Sequence, residues 1–231
     1  MLNIVLVSGG VDSACMLGLV KESSKEDDRV VAVHYNYGQP TEERELENAR
    51  KLCTYFDVPL VEKNLEEIIP KGGLTDKIQD FTIPTKESGI STGYVPFRNT
   101  LLILVGAGIG ASIEKKDSVC VWLGAQLIDY EAYADCRPEF FNALQRVLNL
   151  SEVEQTFYIK APFVNKSKAE VIKRGCELGV PFNLTISCYK PIGGKMCGSC
   201  GACSERLEAF KLAGIEDPIM YENINNKGVK K

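Results

Sequence analysis

Residues 2–20 read LNIVLVSGGVDSACMLGLV: an apolar run of strand length, a small glycine-rich turn, and helical residues with no gap between them. The run 2–7 is apolar at nearly every position. That suits a central parallel strand covered on both faces rather than a strand with one wet side. Outward from it the alternation continues. Residues 29–37 (RVVAVHYNY), 58–65 (VPLVEKNL), 119–125 (VCVWLGA) and 156–163 (TFYIKAPF) read as further strands. Helices fit between them. One starts near Asp12, and a second carries Leu46, Ala49, Leu52, Cys53 and Phe56 on one stripe. The others fit 99–114, 138–150 with Pro138 at a first helical position, 167–178 and 204–213. This order predicts an α/β, doubly wound Rossmann-like parallel sheet, with ligands held beyond the carboxyl ends of the strands.

The 231 residues suffice for one large domain and a small appendage. We divide them into an α/β domain over 1–186, a four-cysteine motif with the last helix over 187–217, and a polar tail over 218–231. Within the first unit, 66–97 has little periodicity and many Gly, Pro, Ser and Thr residues, and is expected to be a loop or lid. A net charge of -4 argues against a protein whose work is to hold a nucleic-acid backbone. The start, Met1-Leu2-Asn3-Ile4, has no basic leader. The most apolar stretch, 101–113, is too short for a bilayer and is interrupted by Gly106, Gly108 and Gly110, so no membrane association is expected. Nine cysteines without an export signal point to a reducing, cytoplasmic setting, where clustered thiols mean metal or catalysis.

The turn Ser8-Gly9-Gly10-Val11-Asp12-Ser13 places unpaired backbone N–H groups at the positive end of a helix, a setting that favours an anion. Gly9 and Gly10 permit positive φ and close approach to an oxygen, while Ser8 and Ser13 add hydroxyl donors. Asp12 is expected either to cap the helix or to hold a Mg²⁺ ion that bridges to phosphate. A Walker A loop would need a longer spacing and a Gly-Lys-Ser/Thr ending, and neither is present. The GAGIGA at 106–111 lies inside an apolar helical pattern and is expected to serve packing. A plain capped turn and a phosphate cradle both fit the local pattern.

Cys188, Cys197, Cys200 and Cys203 have the spacing C-x8-C-x2-C-x2-C, with glycines between them. Four thiolates around tetrahedral Zn²⁺ is the leading reading, and a closed set of four protein ligands makes that zinc structural. A ferredoxin run would continue with x3-C-P, and a redox C-x-x-C pair would leave two thiols unused. Residues 124–141 (GAQLIDYEAYADCRPEFF) follow a strand directly. They combine Asp129, Tyr130, Glu131, Asp135 and Arg137, a mixture able to read the edge and face of a planar heterocycle. Arg98 and Asn99 stand at the start of a buried helix. Lys168 opens another helix, where a lysine is disfavoured unless an anion is near. His34, inside the second strand, is expected to be a core residue.

SGGVDS matches in full the SGGxDS turn of the PP-loop ATP pyrophosphatases, which split ATP to AMP and pyrophosphate. Taken with YNYGQ (35–39), YVPFRNTLL (94–102), GAQLIDYEAYADCRPEF (124–140), SKAEVIKRGCELGVP (167–181) and the cysteine cluster, the chain resembles the 7-cyano-7-deazaguanine (preQ0) synthases of the queuosine pathway. That resemblance implies a homodimeric, zinc-containing ligase that converts 7-carboxy-7-deazaguanine, ammonia and ATP into a nitrile by way of an amide. It places ATP with Mg²⁺ on Ser8, Gly9, Gly10, Val11, Asp12 and Ser13, with Asp12 and Lys168 as catalytic residues. The deazaguanine falls to Arg98, Asp129, Tyr130, Asp135 and Arg137, with no direct nucleic-acid partner. After YGQ many relatives continue with a basic or histidine-containing stretch, whereas this chain has Pro40-Thr41-Glu42-Glu43. A ligase that joins the carboxylate to another amine and stops at the amide, a PP-loop tRNA-modifying enzyme and a non-enzymatic zinc module are the alternatives.

Overall fold

The computed structural model describes residues 1–75, 93–115, 117–127, 129 and 133–222. Its strands are β1 (Leu2–Leu6), β2 (Arg29–Asn36), β3 (Leu60–Asn64), β4 (Val119–Trp122) and β5 (Phe157–Lys160). They form a parallel sheet of order β3-β2-β1-β4-β5. The chain winds outward from β1 to β3 and then restarts on the other side at β4. The loops after β1 and β4 therefore leave in opposite directions and open a crevice between them. Ile4 pairs with Val31 on one side and with Val121 on the other, so β1 is the axis of the sheet.

Helices cover both faces: α1 (Val11–Ser23), α2 (Glu42–Phe56), α3 (Arg98–Ile113), α4 (Pro138–Ser151), α5 (Lys168–Glu177) and α6 (Gly201–Ala213). Alternate β1 residues divide between two cores. Leu2 and Ile4 join Val33, Ile103, Val121, Phe141 and Leu144 on the α3/α4 face. Val5 joins Leu17, Leu52, Ile172, Phe182 and Phe210 on the other. Asn3, buried on that second face, is matched by Trp122 Nε1 donating to its Oδ1 at 2.9 Å. His34 is a core residue as expected. It is 1% exposed, with its ring nitrogens 2.8 Å from Val7 O and 3.0 Å from Asn36 Oδ1.

All five strands are shorter than the sequence pattern suggests, β1 and β2 by a single residue and the other three by more. Pro59 has no N–H to give, so β3 begins at Leu60. β4 ends at Trp122 with one further ladder bond, from Leu123 N to Lys160 O at 3.1 Å, and beyond it Gln126 N donates to Asp129 Oδ2 at 3.0 Å and Leu127 N to Lys166 O at 3.1 Å. β5 ends at Lys160, ahead of Pro162, and Val164 N turns back to Ala161 O. The last helix starts three residues before the expected Ser204, because Ser204 N already bonds the Cys200 carbonyl. Part of the expected loop at 66–97 packs firmly, with Ile69, Leu74 and Val95 buried in the α3/α4 core; residues 76–92 lie outside the described residues.

The GAGIGA stretch serves packing. A Cβ on Gly110 would stand 2.4 Å from Val119 Cγ1, so α3 lies on β4 only because this position has no side chain. We expect Gly110→Ala to destabilise the fold by ~1–3 kcal/mol, read from urea denaturation midpoints at unchanged m-value.

Candidate active site

The turn after β1 crosses into α1 with Gly10 in the N-cap position, and no side chain caps the helix. The expected capping role of Asp12 is therefore not the one it takes. Ser13 Oγ folds back instead, donating to Gly10 O at 3.0 Å and accepting from Ser8 N at 3.2 Å, while Gly10 N donates to Ser8 Oγ at 3.3 Å. These bonds lock the turn and leave the first N–H groups of α1 facing the crevice. Gly9 sits behind, at φ +79°. A Cβ there would meet Glu45 O at 2.6 Å, so α2 presses directly on the backbone of the turn.

The crevice holds a cavity of about 340 Å³. Ser8, Gly10, Val11, Asp12 and Ser13 line one end, and Lys168, Arg98 and Asp129 stand around the rest. Gly9 supports the turn from outside the wall, and Tyr130 lies outside the described residues. Asp135 is occupied elsewhere: its Oδ2 accepts from Asn99 N at 3.3 Å, serving the start of α3. Arg137 is exposed at the N-cap of α4, away from the cavity.

Lys168 is 14% exposed, with Nζ 3.4 Å from Asp12 Oδ2 and 3.1 Å from Glu205 Oε1. The anions that justify a lysine at the start of α5 are thus these two carboxylates. Burial works against its charge, but Asp12 and Glu205 outweigh burial and hold the ammonium above its ordinary range. Ser167 and Glu170 close a capping box at the same helix end, so Lys168 has no capping duty and its amine is free to face the cavity. Asp12 Oδ1 is buried with no hydrogen-bond partner, the kind of oxygen a divalent cation takes up. Asp129 is pushed up to about 6, first by burial and then by Asp12, against the single bond from Gln126 N.

Several cavity residues were hidden from sequence reasoning. Tyr37, Glu45, Gln126, Glu205 and Tyr189 all line it. Within the Pro40-Thr41-Glu42-Glu43 departure, Thr41 is tied to Glu45. Thr41 Oγ1 donates to Glu45 Oε1 at 2.7 Å, and Gln39 Nε2 donates to Oε2 at 3.2 Å. Burial raises the Glu45 carboxyl, and these two bonds oppose the rise. The available signal was the YNYGQ motif together with a polar residue one helical turn beyond it.

Cys188, Cys197, Cys200 and Cys203 converge, with their sulfurs within 4.8 Å of one another and all four residues buried. The Cys197 and Cys203 sulfurs are 3.8 Å apart. A tetrahedron with ~2.3 Å metal–sulfur bonds has edges of ~3.8 Å, so the donor set fits one small ion. The segment leading into Cys188 forms the floor of the crevice, with Ile186 N bonded to Gly9 O at 2.9 Å. Arg206, fully buried on α6, ties these parts together. It pairs with Asp217 at 2.8 and 2.9 Å, donates to Thr185 Oγ1 at 2.7 Å, and stands 5.0 Å over the Phe210 ring.

A doubly wound sheet with an uncapped, glycine-lined helix start at its switch point is the framework of a nucleotide-binding α/β enzyme. The family model of the queuosine biosynthesis protein QueC matches residues 2–214, and the chain belongs to that family. It is 38% identical over 226 residues to the 7-cyano-7-deazaguanine synthase of Methanoculleus marisnigri, covering 95% of this chain and 98% of that one. It is likewise 38% identical over 229 residues to the synthase of Thermoplasma acidophilum, at 95% and 91% coverage. Among solved structures, the U34-tRNA thiolase NcsA from Methanococcus maripaludis, with its [4Fe-4S] cluster, aligns at TM-score 0.49 and 15% identity. That alignment covers 92% of this chain and 65% of the thiolase, and it adds nothing to the functional reading.

Asp129 gives the site a pH signature. Its carboxyl titrates near 6 in the fold against an ordinary 3.8, so between those values the folded chain holds a proton that the unfolded chain has released. The contribution of Asp129 to stability then falls as pH rises through that window. We expect Asp129→Asn to flatten this part of the curve, measured by urea denaturation at a series of pH values from 4 to 7.

Proposed function

We propose that this chain is an ATP-dependent 7-cyano-7-deazaguanine synthase. The observation that carries the reading is a single cavity with an open helix start and a lysine–carboxylate cluster at one end, and Arg98 with Asp129 facing it. Ser8, Gly10, Val11, Asp12 and Ser13 receive the ATP phosphates, Gly9 holds that turn in place from behind, and Lys168 neutralises charge on the departing pyrophosphate. Asp12, through its unpartnered oxygen, would hold the Mg²⁺ that accompanies ATP and lends Lewis acidity at the phosphates. Arg98 pairs with the substrate carboxylate, and Asp129 accepts from the guanine-like edge. Tyr130 completes the substrate loop, while Asp135 serves it by anchoring the start of α3 and Arg137 by opening α4 rather than by contact.

A carboxylate oxygen of the substrate attacks the α-phosphorus of ATP, and pyrophosphate leaves. Ammonia then adds to the acyl carbon, AMP departs with the carboxylate oxygen, and the surplus proton passes to solvent. The amide oxygen attacks a second ATP in the same way. Loss of AMP and of the two N–H protons leaves the nitrile. No histidine is needed, because positive charge on the leaving group does most of the work.

We assign the α/β unit over 1–186 to this chemistry and 187–217 to a metal module that fixes the crevice floor. Four thiolates within reach of one ion leave no open position, which favours structural Zn²⁺ over a catalytic metal. Among the described residues no helix is long and apolar enough to cross a membrane. We place the enzyme in the cytoplasm as a homodimer. Val147, Leu150 and Val153, 55%, 76% and 96% exposed near the end of α4, support an interface between copies. The amide-forming ligase and the tRNA-modifying enzyme are not favoured, since the matched full-length relatives carry the synthase name.

Incubation with 7-carboxy-7-deazaguanine, Mg-ATP and ammonium should give the nitrile by mass spectrometry, with AMP appearing only when substrate is present. An amide that never dehydrates would overturn the synthase reading. Lys168→Met should lower kcat about a hundredfold or more in the same assay.

A further inference from the structure

A second cavity, of about 270 Å³, lies against the first. Leu127, Ala169, Ala209 and Leu212 give it an apolar wall, with Ser167 and Glu208 as the polar residues beside it. Gln126, Lys168 and Glu205 line both cavities and so form the partition between them.

Gln126 in that partition is 2% exposed. Its amide nitrogen faces two carboxylates, with Asp12 Oδ2 and Glu205 Oε1 each at 3.4 Å. The opposite amide orientation would set oxygen against oxygen, so the nitrogen is fixed on that side. The amide oxygen is left buried with no partner, a state that native cores avoid unless a donor arrives. The missing partner must be small, must bring N–H or O–H donors, and must reach the partition past apolar side chains.

We infer that the second cavity is the entrance for ammonia, and that Gln126 Oε1 and Glu205 hold the amine before it attacks. The inference rests on the proposed synthase reaction. On that reading ATP and a purine-sized substrate share the first cavity, of about 340 Å³, and a separate way in would keep a path to the acyl carbon once both are bound. An apolar wall passes a neutral amine more readily than an ion. At its inner end Lys168 Nζ already pairs with Glu205 at 3.1 Å, so an arriving amine meets an ion pair and the unpartnered Gln126 oxygen rather than a bare carboxylate. A side entrance also keeps bulk water away from the activated carboxyl carbon, which hydrolysis would waste.

Two variants block the passage from different helices without touching the first cavity: Leu212→Trp on α6 and Ala169→Phe on α5. Both should raise the KM for ammonium by about tenfold or more. ATP–pyrophosphate exchange with substrate but no ammonium should stay within about twofold of the unmodified enzyme, which shows that folding and activation are intact. Gln126→Met should raise the ammonium KM and leave the Mg²⁺ half-saturation point in place. An unchanged ammonium KM in either blocked variant overturns the inference. So does loss of exchange in both, which would assign the second cavity to ATP or substrate. A shift in Mg²⁺ half-saturation in Gln126→Met would make the amide oxygen a metal ligand and also overturn it. If the unmodified enzyme forms no amide from ammonium, the proposed function itself fails; if it does and the blocked variants match it, this inference alone fails.

Discussion

The active crevice depends on a contact that admits no side chain. At Gly9 the backbone of α2 closes on the turn so tightly that a Cβ would lie 2.6 Å from the Glu45 carbonyl oxygen. That approach fixes the turn from behind, and the Ser8–Ser13 bonds fix it from within. The α1 N–H groups face the crevice because nothing else claims them. Ile186, bonded to Gly9 O, carries the constraint onward to Cys188 and the metal module. The glycine turn, the crevice floor and the cysteine cluster are thus one connected assembly.

Charge is distributed around that assembly with a purpose. Lys168 is held ionised by Asp12 and Glu205 despite its burial, so a positive charge is ready where pyrophosphate would leave. Asp129, a few residues beyond β4, is pushed the other way by burial. A lysine held charged and a carboxyl raised by burial, yet still mostly ionised at neutral pH, sit in the same cavity, and perturbed groups of this kind cluster at functional sites. Arg206 plays no such part. Its buried pair with Asp217 holds the chain after α6 against the module, and removal of one partner would strand the other charge.

The fold was legible because its decisive signals are local. The apolar run at 2–7, the turn at 8–13 and the stripe on α2 each depend on neighbours in the chain, and each lies where it was expected. Strand ends were less legible. Leu123 N still bonds Lys160 O of β5, and the chain leaves the sheet only beyond it, where Gln126 N turns to Asp129 and Leu127 N to Lys166. In the site, Ser8, Asp12, Arg98, Asp129 and Lys168 were visible as motif residues, and the fold brings them to one cavity. Glu45, Gln126 and Glu205 were not, because each comes from a different element and only the sheet order makes them neighbours. Asp135 and Arg137 show the converse: a loop with the right chemistry can spend part of it on helix starts.

The account's central claim is that the substrate's own oxygen attacks the α-phosphorus of ATP, twice. It is tested most directly with 7-carboxy-7-deazaguanine labelled with oxygen-18 at both carboxylate oxygens. Both AMP molecules formed per turnover should carry one labelled oxygen, while pyrophosphate and the nitrile carry none. Label in inorganic phosphate, unlabelled AMP, or ADP in place of AMP would contradict the account.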